Sequence, residues 1–323
     1  MKAIVFSTRK NERDVILKAI AGKHEITWQS APLSLDTVHL AAGYQVVIVF
    51  ANDEVSCSVI SKLSDLGIKY VLTRSAGTDH IDFQSAATHK MVITNIPNSS
   101  PYAVAEHAVA LSLALSRHLL LAVQNSRAYD FSLGQLTGFN IHGKTVGIIG
   151  LGRIGSVTGK LFHGFGCKVI GYDTNPNARS PEIENVELSE LMKLSDIISL
   201  HVPLTPSTFH LITSESIASM KNGVMLINTA RGALVKTTDI LDALDTGKIG
   251  YFGADVYEFE KGLFFEDHET DQVRDALLNR LMDHPNVIVT PHQAFLTVEA
   301  LSDVAAQIAK VLDQWEKQLE KTF

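Results

Sequence analysis

Short apolar runs alternate with longer polar or amphipathic stretches along the first hundred residues. Ala3-Ile4-Val5-Phe6, Val46-Val47-Ile48-Val49-Phe50, Lys69-Tyr70-Val71-Leu72-Thr73 and Met91-Val92-Ile93-Thr94 read as strands. Residues 11–21, 35–41, 56–66 and 83–89 between them read as helices. Strands separated by helices predict a parallel sheet with helices on its faces. Runs this rich in Val and Ile suit strands buried on both sides.

Asn98-Ser99-Ser100-Pro101 punctuates the chain, with Ser100 as an N-cap and Pro101 as a first helical residue. A long helix is expected from Pro101, since Val104, Ala108, Leu111, Leu115 and Leu119 recur at three- and four-residue spacing. From Thr145 the alternation resumes. Strands are expected at 145–149, 168–172, 196–200, 224–228, 251–255 and 287–290. Six strands with helices between them fit a doubly wound α/β fold, whose ligands sit at the carboxyl ends of the strands. A final helix is expected over 297–321, with Leu301, Val304, Ile308, Val311, Leu312 and Trp315 on its apolar face. It has no further strand to serve and should pack back on the first domain. The expected division is therefore residues 1–100 with 296–323, and residues 101–295.

The stretch 143–173 carries the most specific signal. A strand, Thr145–Ile149, runs into Gly150-Leu151-Gly152-Arg153-Ile154-Gly155; a helix to about Gly164 and a second strand ending at Asp173 follow. Gly150 permits a tight turn, Gly152 lets a pyrophosphate approach the backbone, and Gly155 lets helix and strand pack closely. The helix N-terminus offers amides and partial positive charge to the anion. A bare glycine motif also fits a turn with no ligand, but the strand, helix and acid all agree here. Asp173 would accept from the ribose hydroxyls and repel a 2′-phosphate, which favours NAD(H); Arg179 is the nearby cation that would argue otherwise.

Composition narrows the class. With 323 residues the chain can hold two domains with sizeable cores. A net charge of −7 disfavours nucleic acid or an anionic membrane as partner. The most apolar run, 108–123, is broken by Arg117 and His118 and is too short to span a bilayer. Cys57 and Cys167 show no metal-ligand spacing and no disulfide framework, so no metal is expected and a reducing cytoplasm fits. The N-terminus runs directly into a strand and does not read as a signal peptide.

The strand ends supply candidate chemistry. Arg231 lies in Asn228-Thr229-Ala230-Arg231-Gly232, Glu260 follows Asp255-Val256-Tyr257-Glu258-Phe259, and His292 lies in Thr290-Pro291-His292-Gln293-Ala294-Phe295. Reduction of a 2-keto acid needs these types. A guanidinium binds the carboxylate and polarises the adjacent carbonyl. An imidazolium supplies a proton as hydride arrives. A carboxylate beside the imidazole orients it and favours its charged form. Each alone has an ordinary structural reading, as a surface ion pair, a satisfied histidine or a solvated acid. Glu258 and Glu266 rival Glu260 on spacing alone.

The set Gly150–Gly155, His201-Val-Pro-Leu-Thr205, Asn228–Gly232, Gly253-Ala-Asp-Val-Tyr-Glu258 and Pro291–Phe295 resembles the D-isomer-specific 2-hydroxyacid dehydrogenases. Glu260–His268 and His292–Thr297 resemble the fermentative D-lactate dehydrogenases among them. The resemblance implies a Rossmann NAD-binding domain inserted into a flavodoxin-like substrate domain. It implies that Arg231 binds the substrate carboxylate and carbonyl oxygen, that His292 is the acid/base and that Glu260 is its partner. Arg153, Ile154 and Asp173 would hold pyrophosphate and adenosine ribose, and Val202, Pro203 and Thr208 would line the cofactor cleft. Thr229, Ala230, Arg231 and Asp255 would lie beside the nicotinamide, with Asp255 anchoring its carboxamide. Ser75, Ala76 and Gly77 would hold the substrate carboxylate through backbone amides; the same turn also fits an ordinary strand-to-helix connection.

The lactate branch commonly places a Tyr where this chain has Ser99; the nearest aromatic, Tyr102, either takes its place or packs. Phe295 beside His292 implies an apolar wall suited to a small side chain such as methyl. The expected reaction is reduction of pyruvate to D-lactate by NADH, with the substrate between the domains and closure excluding water. A bulkier 2-keto acid, or a non-catalytic NAD(H)-sensing protein, is the alternative. Family resemblance also implies a homodimer built on the cofactor domains, with a tetramer as the larger option.

Overall fold

The computed structural model describes residues 1–97, 100–178, 180–270 and 274–320. Ser99 and Arg179, which bear on the sequence reading, lie outside the described residues. The chain divides into two compact units, Met1–Ser100 with Leu296–Phe323, and Pro101–Phe295.

The first unit holds a five-stranded parallel sheet. Its strands are β1 (Lys2–Val5), β2 (Glu25–Trp28), β3 (Val46–Val49), β4 (Tyr70–Thr73) and β5 (Val92–Asn95), in the order β2-β1-β3-β4-β5. The central β3 and β4 are buried at every position, as continuous apolar runs require. Strand β2 was not expected. It is an edge strand with an exposed Glu25, and its Glu-Ile-Thr-Trp sequence carries no apolar run. Helices α1 (Lys10–Ile20), α2 (Cys57–Asp65) and α3 (Phe83–Thr88) connect the strands. The helix expected over 35–41 is only a 3-10 turn, Val38–Ala41.

One face of this sheet buries Phe6, Val47, Val49 and Val71 against Val59, Ile60 and Leu63 of α2. The other buries Val5, Ile48 and Leu72 against Ile16 and Ile20 of α1 and against Ile308, Leu312 and Trp315 of the last helix.

The second unit carries seven parallel strands: β6 (Thr145–Ile149), β7 (Lys168–Tyr172), β8 (Glu184–Asn185), β9 (Ile197–Leu200), β10 (Val224–Asn228), β11 (Ile249–Ala254) and β12 (Val287–Val289). Their order is β12-β11-β10-β9-β6-β7-β8. The order reverses between β6 and β9, the switch point at which doubly wound sheets hold their ligands. The seventh strand, β8, is a two-residue exposed edge, too short and polar to register as a pattern.

In chain order the remaining helices are α4 (Pro101–Ser116), α5 (Leu119–Arg127), α6 (Arg153–Gly164), α7 (Leu188–Leu194), α8 (Ser214–Ser219), α9 (Thr237–Asp245), α10 (Ala276–Asp283) and α11 (Val298–Glu320). The long helix expected from Pro101 is two helices bent by 62°. His118 has φ 48°, so α4 stops and Leu119 leaves its apolar face to lie exposed on α5. The cause is tertiary. Phe139 N–H donates to the freed Ser116 carbonyl at 3.0 Å, and Gly138 passes so close that a Cβ there would meet the same oxygen at 2.2 Å. Among the described residues no single helix is long and apolar enough to cross a membrane.

Candidate active site

The glycine loop follows from sterics. Gly150 follows strand β6, and L side chains rarely adopt its φ of 98°. A Cβ on Gly155 would lie 1.8 Å from the Gly150 carbonyl oxygen, so the start of α6 can approach β6 only with glycine there. Gly152 differs: nothing lies within 4 Å of where its Cβ would stand. The protein's own packing does not require glycine at 152, and the open space suits a ligand at the backbone. The first intrahelical bond of α6 runs from Ser156 N–H to Gly152 O at 2.9 Å. The amides of Arg153, Ile154 and Gly155 therefore precede any helical acceptor and face the anion side.

Asp173 follows β7 beside this loop. Its Oδ2 accepts from Leu151 N–H at 2.7 Å and its Oδ1 from Asn175 N–H at 2.8 Å. The acid thus fixes the glycine turn, with lone pairs remaining for ribose hydroxyls. His201 ends β9. Burial pushes its imidazole down to about 3, and its Nε2 lies 2.9 Å from Ser199 Oγ. Val202 leans on Gly150: a Cβ there would meet its Cγ1 at 2.9 Å. Thr208 is turned inward on its own loop, donating to Pro203 O at 2.6 Å and accepting from Thr205 N–H at 2.8 Å. Its hydroxyl shapes the turn that presents Pro203. Thr229 Oγ1 is buried with no hydrogen-bond partner, which leaves one polar atom at this edge for a ligand.

The strand ends beyond it gather the expected chemical groups. After β10 the chain turns through Arg231, whose backbone oxygen accepts from Asn228 Nδ2 at 2.8 Å. Arg231 Nη1 donates to Ala230 O at 2.8 Å. A Cβ on Gly232 would sit 2.0 Å from the Tyr257 carbonyl carbon, so glycine lets the arginine turn press against the loop leading to Glu260. Glu260 Oε2 accepts from Tyr257 N–H at 3.0 Å, and its Oε1 lies 2.9 Å from His292 Nδ1. An ionised carboxylate only accepts, so Nδ1 carries the proton and Nε2 is left for other chemistry. The imidazole is 13% exposed and its partner 25%.

The rival acids have other duties. Glu258 Oε1 lies 2.6 Å from His210 Nε2, and its Oε2 takes Thr237 N–H at the start of α9 at 2.8 Å. Glu266 faces His268 at 3.9 Å. Phe265 and Phe295 flank the His292 ring at centroid distances of 5.2 and 6.4 Å. Phe265, Thr290 and His107 belong to this neighbourhood without having stood out in the sequence. Thr290 does follow directly on a strand, which was the available signal.

Two of the expected residues make contacts that the sequence did not show. Asp255 is fully buried. Its Oδ1 accepts from Thr290 Oγ1 at 2.6 Å and Gln293 N–H at 2.9 Å, and its Oδ2 from Ala294 N–H at 2.8 Å. These bonds make it a brace of the His292 loop, and Oδ2, with Ala294 N–H as its donor, keeps acceptor capacity for a carboxamide. Tyr102 lies against α6 with Val157, Leu161 and Phe165, 58% exposed, and not among the rings around His292. That gives it a packing place. Ser75, Ala76 and Gly77 belong to the other unit. There Ser75 Oγ donates to Gly77 O at 2.7 Å and Asn95 Nδ2 to Ala76 O at 2.8 Å, which set the turn.

Residues 109–294 match the family model of the D-isomer specific 2-hydroxyacid dehydrogenase NAD binding domain. The chain belongs to this family. As a D-2-hydroxyacid dehydrogenase homologue it is 39% identical to the D-lactate dehydrogenase of Escherichia coli, over 98% of this chain and 97% of that one. It is equally 39% identical to the aromatic 2-oxoacid reductase of Clostridium sporogenes, over 98% and 96% of the two chains. The D-lactate dehydrogenase of Aquifex aeolicus, solved with NAD and lactic acid, superposes with a TM-score of 0.88 at 31% identity, covering 98% and 96%. The second unit is thus an NAD-binding Rossmann domain, and its glycine loop, α6 N-terminus and Asp173 fit that cofactor.

Proposed function

We propose that this dehydrogenase reduces pyruvate to D-lactate with NADH. The observation that carries the reading is the His292–Glu260 pair, 2.9 Å apart, with the Arg231 turn packed on the Glu260 loop through Gly232. NADH held at the glycine loop supplies the hydride. Arg231 binds the substrate carboxylate with a bidentate fork and polarises the keto oxygen. His292, presenting Nε2, gives that oxygen its proton, and Glu260 holds the ring in the tautomer this requires. Ser75, Ala76 and Gly77 are retained as further carboxylate ligands. Phe265 and Phe295 beside His292 favour a small apolar substituent such as methyl.

The similarity to an aromatic 2-oxoacid reductase supports a second reading, in which the side-chain space takes a larger group. Initial rates of NADH oxidation with pyruvate, 2-ketoisocaproate and phenylpyruvate test both. The highest kcat/KM for pyruvate, with D-lactate as product, is the expected result. Preference for phenylpyruvate would reassign the substrate, and no turnover with any acid would favour a binding protein.

Leu119, Leu120 and Val123 on α5, and Tyr129, Phe131 and Leu133 after it, are exposed apolar side chains. Such a run on the nucleotide-binding unit supports a homodimer through it. Light scattering of the purified chain should give at least twice the monomer mass; a monomer would remove this assignment. The unpaired Cys57 and Cys167 are in keeping with a cytoplasmic setting.

A further inference from the structure

His292 has φ 53°, a left-handed backbone conformation uncommon outside glycine. The surroundings can be named. His292 N–H donates to Asp255 O at 2.7 Å and to Thr290 O at 2.9 Å. The next two amides, Gln293 and Ala294, donate to the two oxygens of the buried Asp255 carboxylate. Thr290 Oγ1 makes a third bond to that carboxylate at 2.6 Å. On the far side of Thr290 stands His107 of α4, its Nε2 3.0 Å from Thr290 Oγ1 and 3.4 Å from Asp255 Oδ1.

Proton accounting gives the direction of each bond. Asp255, as a carboxylate, only accepts. Thr290 has one hydroxyl proton, and the 2.6 Å bond commits it to Asp255. Thr290 oxygen must therefore accept from His107, whose Nε2 carries a proton. His107 is a donor that sets the Thr290 hydroxyl, which with two backbone amides fixes the carboxylate, which in turn fixes the turn holding His292. We propose that His107 and Thr290 are positioning residues for the reaction, acting through Asp255 to aim the His292 imidazole. The proposal rests on the acid/base reading of His292. Neither His107 nor Thr290 needs to touch substrate or cofactor.

Paired substitutions test the relay. His107→Leu removes the donor, whereas His107→Gln keeps an N–H at a similar reach. Thr290→Val removes the hydroxyl, and Thr290→Ser keeps it. His107→Leu and Thr290→Val should each lower kcat by about tenfold or more, while the NADH dissociation constant stays within about twofold, because a misaimed proton donor slows chemistry without disturbing the distant glycine loop. His107→Gln and Thr290→Ser should recover most of the loss. The double variant His107→Leu/Thr290→Val should be no worse than the poorer single, since the two act as one unit.

Full kcat in His107→Leu or Thr290→Val would overturn the relay. So would losses that multiply in the double variant, or NADH affinity falling in step with kcat. The Thr290 pair stands as an independent test if His107→Leu does not fold. His292→Ala in the same assay separates the two levels. Retained turnover there removes the acid/base reading itself, whereas an inactive His292→Ala beside a fully active His107→Leu removes only the relay.

Discussion

Nδ1 of His292 lies 2.9 Å from Oε1 of Glu260, joining the end of β12 to the loop after β11. The other oxygen of Glu260 is held by Tyr257 N–H, so the carboxylate cannot turn away without losing a backbone bond. The pair therefore has a fixed geometry, and the two substitutions have different expected costs. His292→Ala should lower kcat by roughly 10²–10⁴-fold, the usual contribution of a positioned acid or base. Glu260→Gln, which can still accept from Nδ1–H but carries no charge, should cost less than His292→Ala. In both, NADH binding followed by fluorescence should be unchanged. Near-normal turnover in His292→Ala would remove it from the acid/base role.

Arg231 tests the substrate end. Its guanidinium is suited to two parallel bonds with a carboxylate, which the ammonium of a lysine cannot copy. Arg231→Lys should raise KM for pyruvate and lower kcat together, since binding and carbonyl polarisation share one group. An unchanged kcat and KM would assign the carboxylate to other donors, with Ser75, Ala76 and Gly77 next to be tested.

The glycines of the cofactor loop should separate by experiment as they do by geometry. A methyl at Gly155 would collide with a backbone oxygen 1.8 Å away, so Gly155→Ala should unfold at lower temperature with or without cofactor. At Gly152 nothing lies within 4 Å, so Gly152→Ala should keep its apo melting temperature. Its loss should appear in NADH affinity, by an order of magnitude or more if the pyrophosphate approaches the backbone there. Normal NADH affinity in Gly152→Ala would move the pyrophosphate elsewhere.

The legible parts of this chain are those in which local pattern and tertiary demand coincide. The runs at β3, β4, β6 and β10 are buried at nearly every position, so apolarity alone marks them. The residues after β6, β10 and β12 carry the expected chemical groups because a parallel sheet collects its carboxyl ends on one edge. Strands β2 and β8 were not legible, since an edge strand needs no apolar run. The break at Ser116 was not legible because its cause, the return of Gly138 and Phe139, lies 22 residues and more down the chain. The choice of Glu260 over Glu258 had the same character. Both are acids near one strand end, and only the fold gives Glu258 to His210 and Thr237. That Asp255 braces the His292 loop was not legible either, since its three donors come from residues 35 to 39 positions later.

His201 makes a prediction about acid stability. The residue keeps some exposed surface, yet its imidazole is desolvated enough that burial pushes it down to about 3. In the unfolded chain the same ring titrates near its ordinary value of about 6.5. The folded protein therefore resists protonation that the unfolded chain accepts. The sign follows: the unfolded state binds more protons between these values, so stability rises with pH across the window. The contribution is complete above about 6.5 and is lost progressively as pH falls toward 3. The slope is at most about 1.4 kcal/mol per pH unit. Paired carboxylates such as Asp196, held low by Lys221 and Thr145 N–H despite its partial burial, also lose stability in acid, so the wild-type slope alone is not diagnostic. The comparison that isolates His201 is the change in urea midpoint between pH 7.5 and pH 5.5 for wild type and for His201→Gln. Glutamine retains a hydrogen bond toward Ser199 and cannot titrate. The wild type should lose more stability across that interval than His201→Gln, by roughly 1–2 kcal/mol. Equal losses in the two proteins would mean that the His201 ring charges as readily in the folded protein as in the unfolded chain.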